Sequence, residues 1–236
     1  MEEYEESYDY DNTTFSPQGR LYQVEYARET VKKGTTTIGL KFKNGVTLFS
    51  LRNIYSKLIE NNNLNKIKQI DDNIGCTFCG LSADARILID YAREIVQTNK
   101  ILYNDKISIK NLIEQLCSYM NIYSRYDLVR PFGVILIIAG IDEKGNHLYA
   151  TDPSGAFLEY KAICEGNKSS IVTRFLENKY KYNMNIDNIL ALGLQSLKKT
   201  TRKKIDGNNI EISIIEKNKP YRKLTLTEIK TMIKKL

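Results

Sequence analysis

Ten consecutive residues from Phe132 to Ile141, FGVILIIAGI, carry no charged or polar side chain. A bilayer span needs about 20 such residues, so this run is about half the required length. Within it, Gly133 to Gly140 has the near-continuous apolar character of a strand buried on both faces. Such a strand lies inside a stack of layers, and the flanking patterns supply those layers. Thr35 to Leu40 and Val46 to Ser50 form a hairpin around the Asn44-Gly45 turn. Ile74, Cys76 and Phe78 alternate with Gly75, Thr77 and Cys79, and Gly80 ends that strand ahead of a helix capped by Ser82.

The helix carries an apolar stripe of Ala85, Leu88, Ile89, Ala92, Ile95 and Val96. A second helix follows Ser108, with Ile109, Leu112, Ile113, Leu116 and Met120 on one side. Strands His147 to Thr151 and Ala156 to Tyr160 flank the turn Asp152-Pro153-Ser154-Gly155. Helical patterns run over Ser169 to Lys179 and, capped by Asn185, over Ile186 to Lys198, the latter burying Ile186, Ile189, Leu190, Leu194 and Leu197. Ile210, Ile212 and Ile214 mark a last strand. A C-terminal helix then opens on a Thr225 to Glu228 capping box with a Leu224 to Ile229 staple. Paired helices separated from runs of antiparallel strands predict an α+β domain in which helix layers cover two stacked sheets.

Length and composition agree with that architecture. A chain of 236 residues with 42% hydrophobic and 27% charged residues can bury a core without cross-links, and four scattered cysteines make no disulfide framework. The formal net charge is +7, yet Glu2, Glu3, Glu5, Glu6, Asp9 and Asp11 head the chain with no base among them. This acidic head is too poor in apolar residues to pack by itself and is expected to be mobile. It also lacks the basic flank and apolar stretch of a secretion signal, so the expectation is a soluble intracellular protein. The basic remainder could attract nucleic acid, but no recognition motif supports that, and the run Lys198, Lys199, Arg202, Lys203, Lys204 reads as a solvated loop. A nucleic-acid binder would show strongly salt-dependent association.

Phe15 to Ala27 reads FSPQGRLYQVEYA. Pro17 and Gly19 form a turn, and Arg20 begins an amphipathic helix on which Tyr22 and Tyr26 share one face and Leu21, Val24 and Val31 another. This segment resembles the N-terminal signature of proteasome alpha subunits. The resemblance continues through Ala27 to Lys41, Lys66 to Asp72, Gly80 to Asp90, Arg130 to Asp142 and Asp152 to Ala162, and is nearest to the archaeal type. It implies the four-layer αββα sandwich of N-terminal-nucleophile hydrolases with an extra N-terminal helix. The implied division is a mobile acidic gate tail, residues 1–12, and a single domain, residues 13–236.

The resemblance also frames the question of catalysis. Catalytic beta subunits of the family use a freed N-terminal threonine as nucleophile, with a lysine to favour proton transfer and an acid to orient that lysine. Thr35 and Lys66 fill the first two places, but the acid's place is filled by Leu51, which neither accepts a hydrogen bond nor holds a charge. Thr35 also stands behind the alpha signature. The expectation is a plain strand residue and a chain without catalytic residues; the alternative is a beta-type threonine peptidase cleaved before Thr35. Cys76 and Cys79 form a CxxC on a strand, where they point to opposite faces and read as structural thiols. His147 is the only histidine, so neither a metal site nor a cofactor is expected.

What the resemblance implies instead is a gated entrance. Alpha subunits would form a seven-membered ring of identical or related copies stacked on beta subunits, admitting unfolded protein substrates in the cytoplasm without a ubiquitin requirement. Tyr8, Asp9, Pro17 and Tyr26 match the cluster that holds the gate open, with Tyr10 where the family usually has arginine. Lys66, Gly80 and Leu81 match the pocket that receives the C-terminal tails of a regulatory ATPase, the lysine pairing with the tail's carboxylate. Tyr126, Asp127, Leu128 and Val129 match the pore constriction, and Asp127 and Leu128 replace two family glycines, implying a tighter and more acidic opening.

Overall fold

The computed structural model describes residues 13–53, 56, 58–60, 65–126, 129–201 and 205–235. The acidic head with Tyr8, Asp9 and Tyr10, the pair Asp127 and Leu128, and Arg202 to Lys204 lie outside the described residues. In chain order the elements are α1 (Tyr22–Lys32), β1 (Thr37–Phe42), β2 (Gly45–Leu51), β3 (Lys68–Asp71), β4 (Ile74–Gly80), α2 (Ser82–Tyr103), α3 (Ile109–Tyr123), β5 (Val134–Asp142) and β6 (Gly145–Thr151). They continue with β7 (Phe157–Glu159), β8 (Ala162–Glu165), α4 (Ser169–Lys179), α5 (Ile186–Thr200), β9 (Ile210–Glu216), β10 (Arg222–Lys223) and α6 (Leu226–Lys234).

Two five-stranded sheets result, ordered β10-β9-β2-β1-β8 and β3-β4-β5-β6-β7, and every pairing is antiparallel. The period of two along each strand divides its side chains between two cores. In β5, Val134, Leu136 and Ile138 pack with the α2 and α3 stripes, whereas Ile137 and Ala139 meet Val46 and Leu48 of the facing sheet. Ile38, Leu40 and Phe42 of β1 and Ile210, Ile212 and Ile214 of β9 pack outward under α4, α5 and α6. Helices therefore cover both outer faces, and the αββα sandwich with a leading helix is the observed fold. Burial of a single leucine or isoleucine is worth about 1.5–3 kcal/mol, so three contiguous apolar clusters give the layers their order.

Several local expectations hold in the structure. Ser108 accepts a hydrogen bond from the Asn111 amide and Asn185 from the Asn188 amide, and Thr225 and Glu228 complete a reciprocal capping box. Others are corrected. The first helix starts at Tyr22, because Arg20 is held in the preceding turn by its amide's bond to Ser16 Oγ. Ser82 is the first residue of α2 and not its cap; Leu81 takes the cap position and offers no side-chain acceptor. The first strand starts at Thr37, so Thr35 is not a strand residue. Strands β3, β8 and β10 have only four, four and two residues and carry too little periodicity to be seen in the sequence.

Candidate functional site

The link between α1 and β1 passes through a space with no room for a side chain. A Cβ on Gly34 would lie 2.6 Å from Cys79 Sγ and 2.7 Å from the Gly80 nitrogen. The Gly34 amide donates to Val31 O at 2.8 Å and its carbonyl accepts from the Asn167 amide at 2.9 Å. The chain is thus held at both backbone groups of Gly34, immediately ahead of Thr35. The carbonyl and hydroxyl oxygens of Thr35 face Lys66, whose Nζ lies 3.1 Å from the first and 2.7 Å from the second.

Lys66 comes from the segment that leads into β3. Two backbone bonds hold that segment: the amides of Lys66 and Ile67 donate to the two carboxylate oxygens of Glu211 on β9, at 2.9 and 3.2 Å. Ile67 is fully buried between the sheets. The ammonium of Lys66 sits 5.2 Å from the centre of the Phe78 ring and forms no ion pair with a described carboxylate. Burial pushes its pKa down to about 8, opposed by the charge on Glu211.

Lys66, Gly80 and Leu81 line one open cavity of about 950 Å³, together with Thr35, Phe78 and Arg86. Gly80 ends β4 at φ +115°, and a Cβ there would stand 2.2 Å from Gly133 O, so only glycine lets the chain turn from β4 into α2 at this point. The Leu81 amide donates to Gly133 O at 3.0 Å, leaving the leucine side chain half exposed at the cavity wall. The structure therefore brings the three expected pocket residues together. Leu51 does not join them; its side chain packs against the apolar cluster on the helix side of β2.

Pro17 occupies the second position of a turn closed by the Gly19 amide on Ser16 O at 2.7 Å, with Gly19 at φ +74°. Tyr26 is about half exposed on α1, its ring stacked 6.3 Å from Tyr22, and the Arg20 guanidinium lies 5.3 Å above the Tyr22 ring. Pro17 thus lies in the turn that leads toward α1, and Tyr26 on α1 itself. Tyr126 and Val129 are exposed on either side of the undescribed pair. Just beyond, Arg130 clamps Asp84 of α2 with bonds of 2.7 and 2.8 Å, and Asp84 also accepts from the Gly133 amide. These bonds, that from Arg130 foremost, hold the Asp84 carboxyl below the usual range.

Two contributors carry no signal in the sequence. Glu211 lies 145 positions from Lys66, and nothing in its alternating strand marks it as the anchor of that segment. Arg28 on α1 meets Asp152, 124 positions away. The CxxC divides as expected: Cys76 packs among the α2 and α3 stripes, while Cys79 Sγ lies 3.2 Å from Val31 O and 3.5 Å from Thr35 O. Among the described residues, no group of three or more His, Cys, Asp or Glu side chains is placed to hold a metal ion, and no helix is long and apolar enough to cross a membrane.

A four-layer αββα sandwich with a threonine and a lysine in contact at the mouth of its sheets defines the N-terminal-nucleophile hydrolase class of fold. Family comparison narrows this. The proteasome subunit family matches residues 31–215, and the N-terminal signature of A-type proteasome subunits matches residues 8–29. The chain belongs to the proteasome subunit family, on its alpha side. It is 42% identical to the proteasome alpha subunit of Methanosarcina thermophila over 97% of this chain and 93% of the relative. It is 44% identical to that of Methanococcus vannielii, over 97% and 88%, and 44% identical to that of Methanocaldococcus jannaschii, over 98% and 88%.

Proposed function

We propose that the chain is a non-catalytic alpha-ring subunit that forms the entrance of a proteasome core particle, and that the Lys66 cavity receives the C-terminal tail of an activating ATPase. The observation that carries this reading is the Lys66 ammonium, fixed by Thr35 and without a carboxylate partner among the described residues, in one cavity with Gly80 and Leu81. A terminal carboxylate would supply the missing charge. One charge-assisted hydrogen bond contributes about 1.5–3 kcal/mol, so several tails engaging one ring are needed for useful affinity.

In this reading residues 13–236 act as one domain in a seven-membered ring, and residues 1–12 with Tyr8 and Asp9 act with Pro17 and Tyr26 as the gate. Tyr126, Asp127, Leu128 and Val129 line the constriction, and the carboxylate of Asp127 disfavours acidic substrates. The ring sits on beta subunits in the cytoplasm, supports their assembly, and passes unfolded chains to them without a ubiquitin requirement. Lys66→Ala is expected to assemble normally and to hydrolyse small peptides with its beta partner, but to lose stimulation by the ATPase. Unchanged ATPase-driven degradation would overturn the docking role.

One observation favours a second reading. Lys66 Nζ at 2.7 Å from Thr35 Oγ1 is the contact a threonine nucleophile requires. Against it, the Thr35 nitrogen is an amide bonded to Gly34, and Leu51 provides no acid. N-terminal sequencing decides: a mature chain starting at Thr35 would establish the peptidase.

A further inference from the structure

The Lys66 cavity holds more positive charge than one tail carboxylate uses. Arg93 is engaged by Asp90 at 2.9 Å and by Gln69 O at 2.8 Å, and Arg52 by Asn65, Asn208 O and Glu211. Lys33, Lys68 and Arg86 also line the cavity and make no ion pair with any described residue. Asp90, the one acid on the wall among the described residues, is the partner of Arg93. A cavity with three uncommitted cations around a buried amine is suited to a small dianion.

We propose that Lys66 is a modification site for small carbonyl compounds that carry a phosphate: Lys33, Lys68 and Arg86 hold the phosphate while the Lys66 amine condenses with the carbonyl. The geometry prepares the amine. In its neutral form Nζ has two N–H bonds, and Thr35 Oγ1 and Thr35 O stand ready to accept both, at 2.7 and 3.1 Å. The lone pair is then left for an electrophile in the cavity. Desolvation brings the pKa to about 8, so the neutral form is abundant at mildly alkaline pH, where an exposed lysine is almost wholly protonated.

In the reaction the nitrogen lone pair forms a bond to the carbonyl carbon as the carbonyl π bond breaks. One proton passes from nitrogen to the oxygen, and the resulting hydroxyl then leaves as water, taking up the second nitrogen proton, as the nitrogen lone pair forms the C=N bond. Amine and aldehyde give imine and water, with no change of oxidation state. Modified in this way, Lys66 is no longer open to a tail carboxylate; that consequence alone rests on the docking function proposed above.

The test treats the full-length purified chain with pyridoxal phosphate or with pyridoxal, traps the imine with borohydride and maps modified lysines by mass spectrometry. The expected result is Lys66 labelled by pyridoxal phosphate about tenfold faster than exposed lysines at pH 7.5. Pyridoxal should label Lys66 several-fold more slowly than its phosphate, and Arg86→Ala with Lys68→Ala should remove that difference. Labelling of Lys66 no faster than that of exposed lysines overturns the proposal, as does equal labelling by the two reagents. Tail docking is measured separately, so a Lys66→Ala protein that still responds to the ATPase would remove the docking function and leave the labelling result standing.

Discussion

Arg28 and Asp152 are joined by two hydrogen bonds, Nε to Oδ2 and Nη2 to Oδ1, both 2.9 Å long. The pair fastens α1, the helix that precedes the sandwich, to the turn between β6 and β7. Asp152 in turn accepts the Ser154 amide at 3.0 Å and the Ser154 hydroxyl at 2.6 Å, and Ser154 O accepts from Asn121 of α3 at 2.8 Å. The added helix is therefore tied through one carboxylate to a turn that is itself tied to the outer helix layer.

Removing that tie is expected to loosen α1 at modest cost. The pair is partly exposed, which places it near the upper end of surface ion pairs, about 1 kcal/mol. Arg28→Ala should lower Tm by about 2–4 °C in a chain of this size and speed proteolysis ahead of Thr37. Thermal unfolding and limited digestion check both. An unchanged Tm with unchanged cleavage would mean that packing of Val24, Ala27 and Val31 suffices to hold the helix.

Lys66 should cost stability at neutral pH. Its folded-state pKa, about 8, is below that of an exposed lysine, so the folded chain disfavours the charged form. No penalty exists above the ordinary lysine value; it grows as the pH falls toward 8 and is constant below. Lys66→Met is therefore expected to be more stable than the native chain at pH 7, by about 1–3 kcal/mol, with the difference shrinking toward pH 10. Denaturant titrations at the two pH values measure this. A less stable variant at pH 7 would mean that the bonds to Thr35 outweigh desolvation.

Glu165, at the end of β8, gives the opposite pH window. Burial first, and then the charge of Asp152, push its carboxyl up to about 7. Its contribution is fully present below the ordinary glutamate value and is lost as the pH rises from there to about 7. Glu165→Gln should therefore gain on the native chain across that interval, by about 2 kcal/mol at pH 8. Parallel stability curves for the two proteins between pH 4 and 8 would contradict the assignment.

All four cysteines are free and buried. Burial pushes the Cys76 and Cys117 thiols up to about 12 and Cys79 to about 11, and raises Cys164 as well. At pH 8 the thiolate fraction of Cys79 is roughly a thousandth, so a thiol reagent should find no reactive group in the native protein and all four after unfolding. Rapid native labelling of Cys79 would show that the Lys66 cavity opens as far as the strand beneath it.

Periodicity carried the layers. The stripe from Ala85 to Val96, the alternation of Ile74, Cys76 and Phe78, and the unbroken run in β5 each depend on neighbours a few residues away, and each was found where the pattern placed it. Helix starts were legible where a side-chain acceptor was present, at Ser108, Asn185 and Thr225, and misplaced at Ser82, where the backbone of Gly133 anchors the turn through the Leu81 amide. Short strands such as β3 and β8 owe their extension to partners already in the sheet, so their few residues signal little.

The site divides along the same line. That Lys66, Gly80 and Leu81 belong together was legible only through resemblance, because spacing along a chain carries no distance between a loop and a strand end. Folding added the hydroxyl of Thr35 beside the amine, the Glu211 carboxylate that holds the Lys66 backbone, and the desolvation that weakens the ammonium's hold on its proton. Element type and layer order follow from local chemistry and were in the residues from the start; the bonds of Lys66 to Thr35 and Glu211 join groups 31 and 145 positions apart, which meet only when the sheets close.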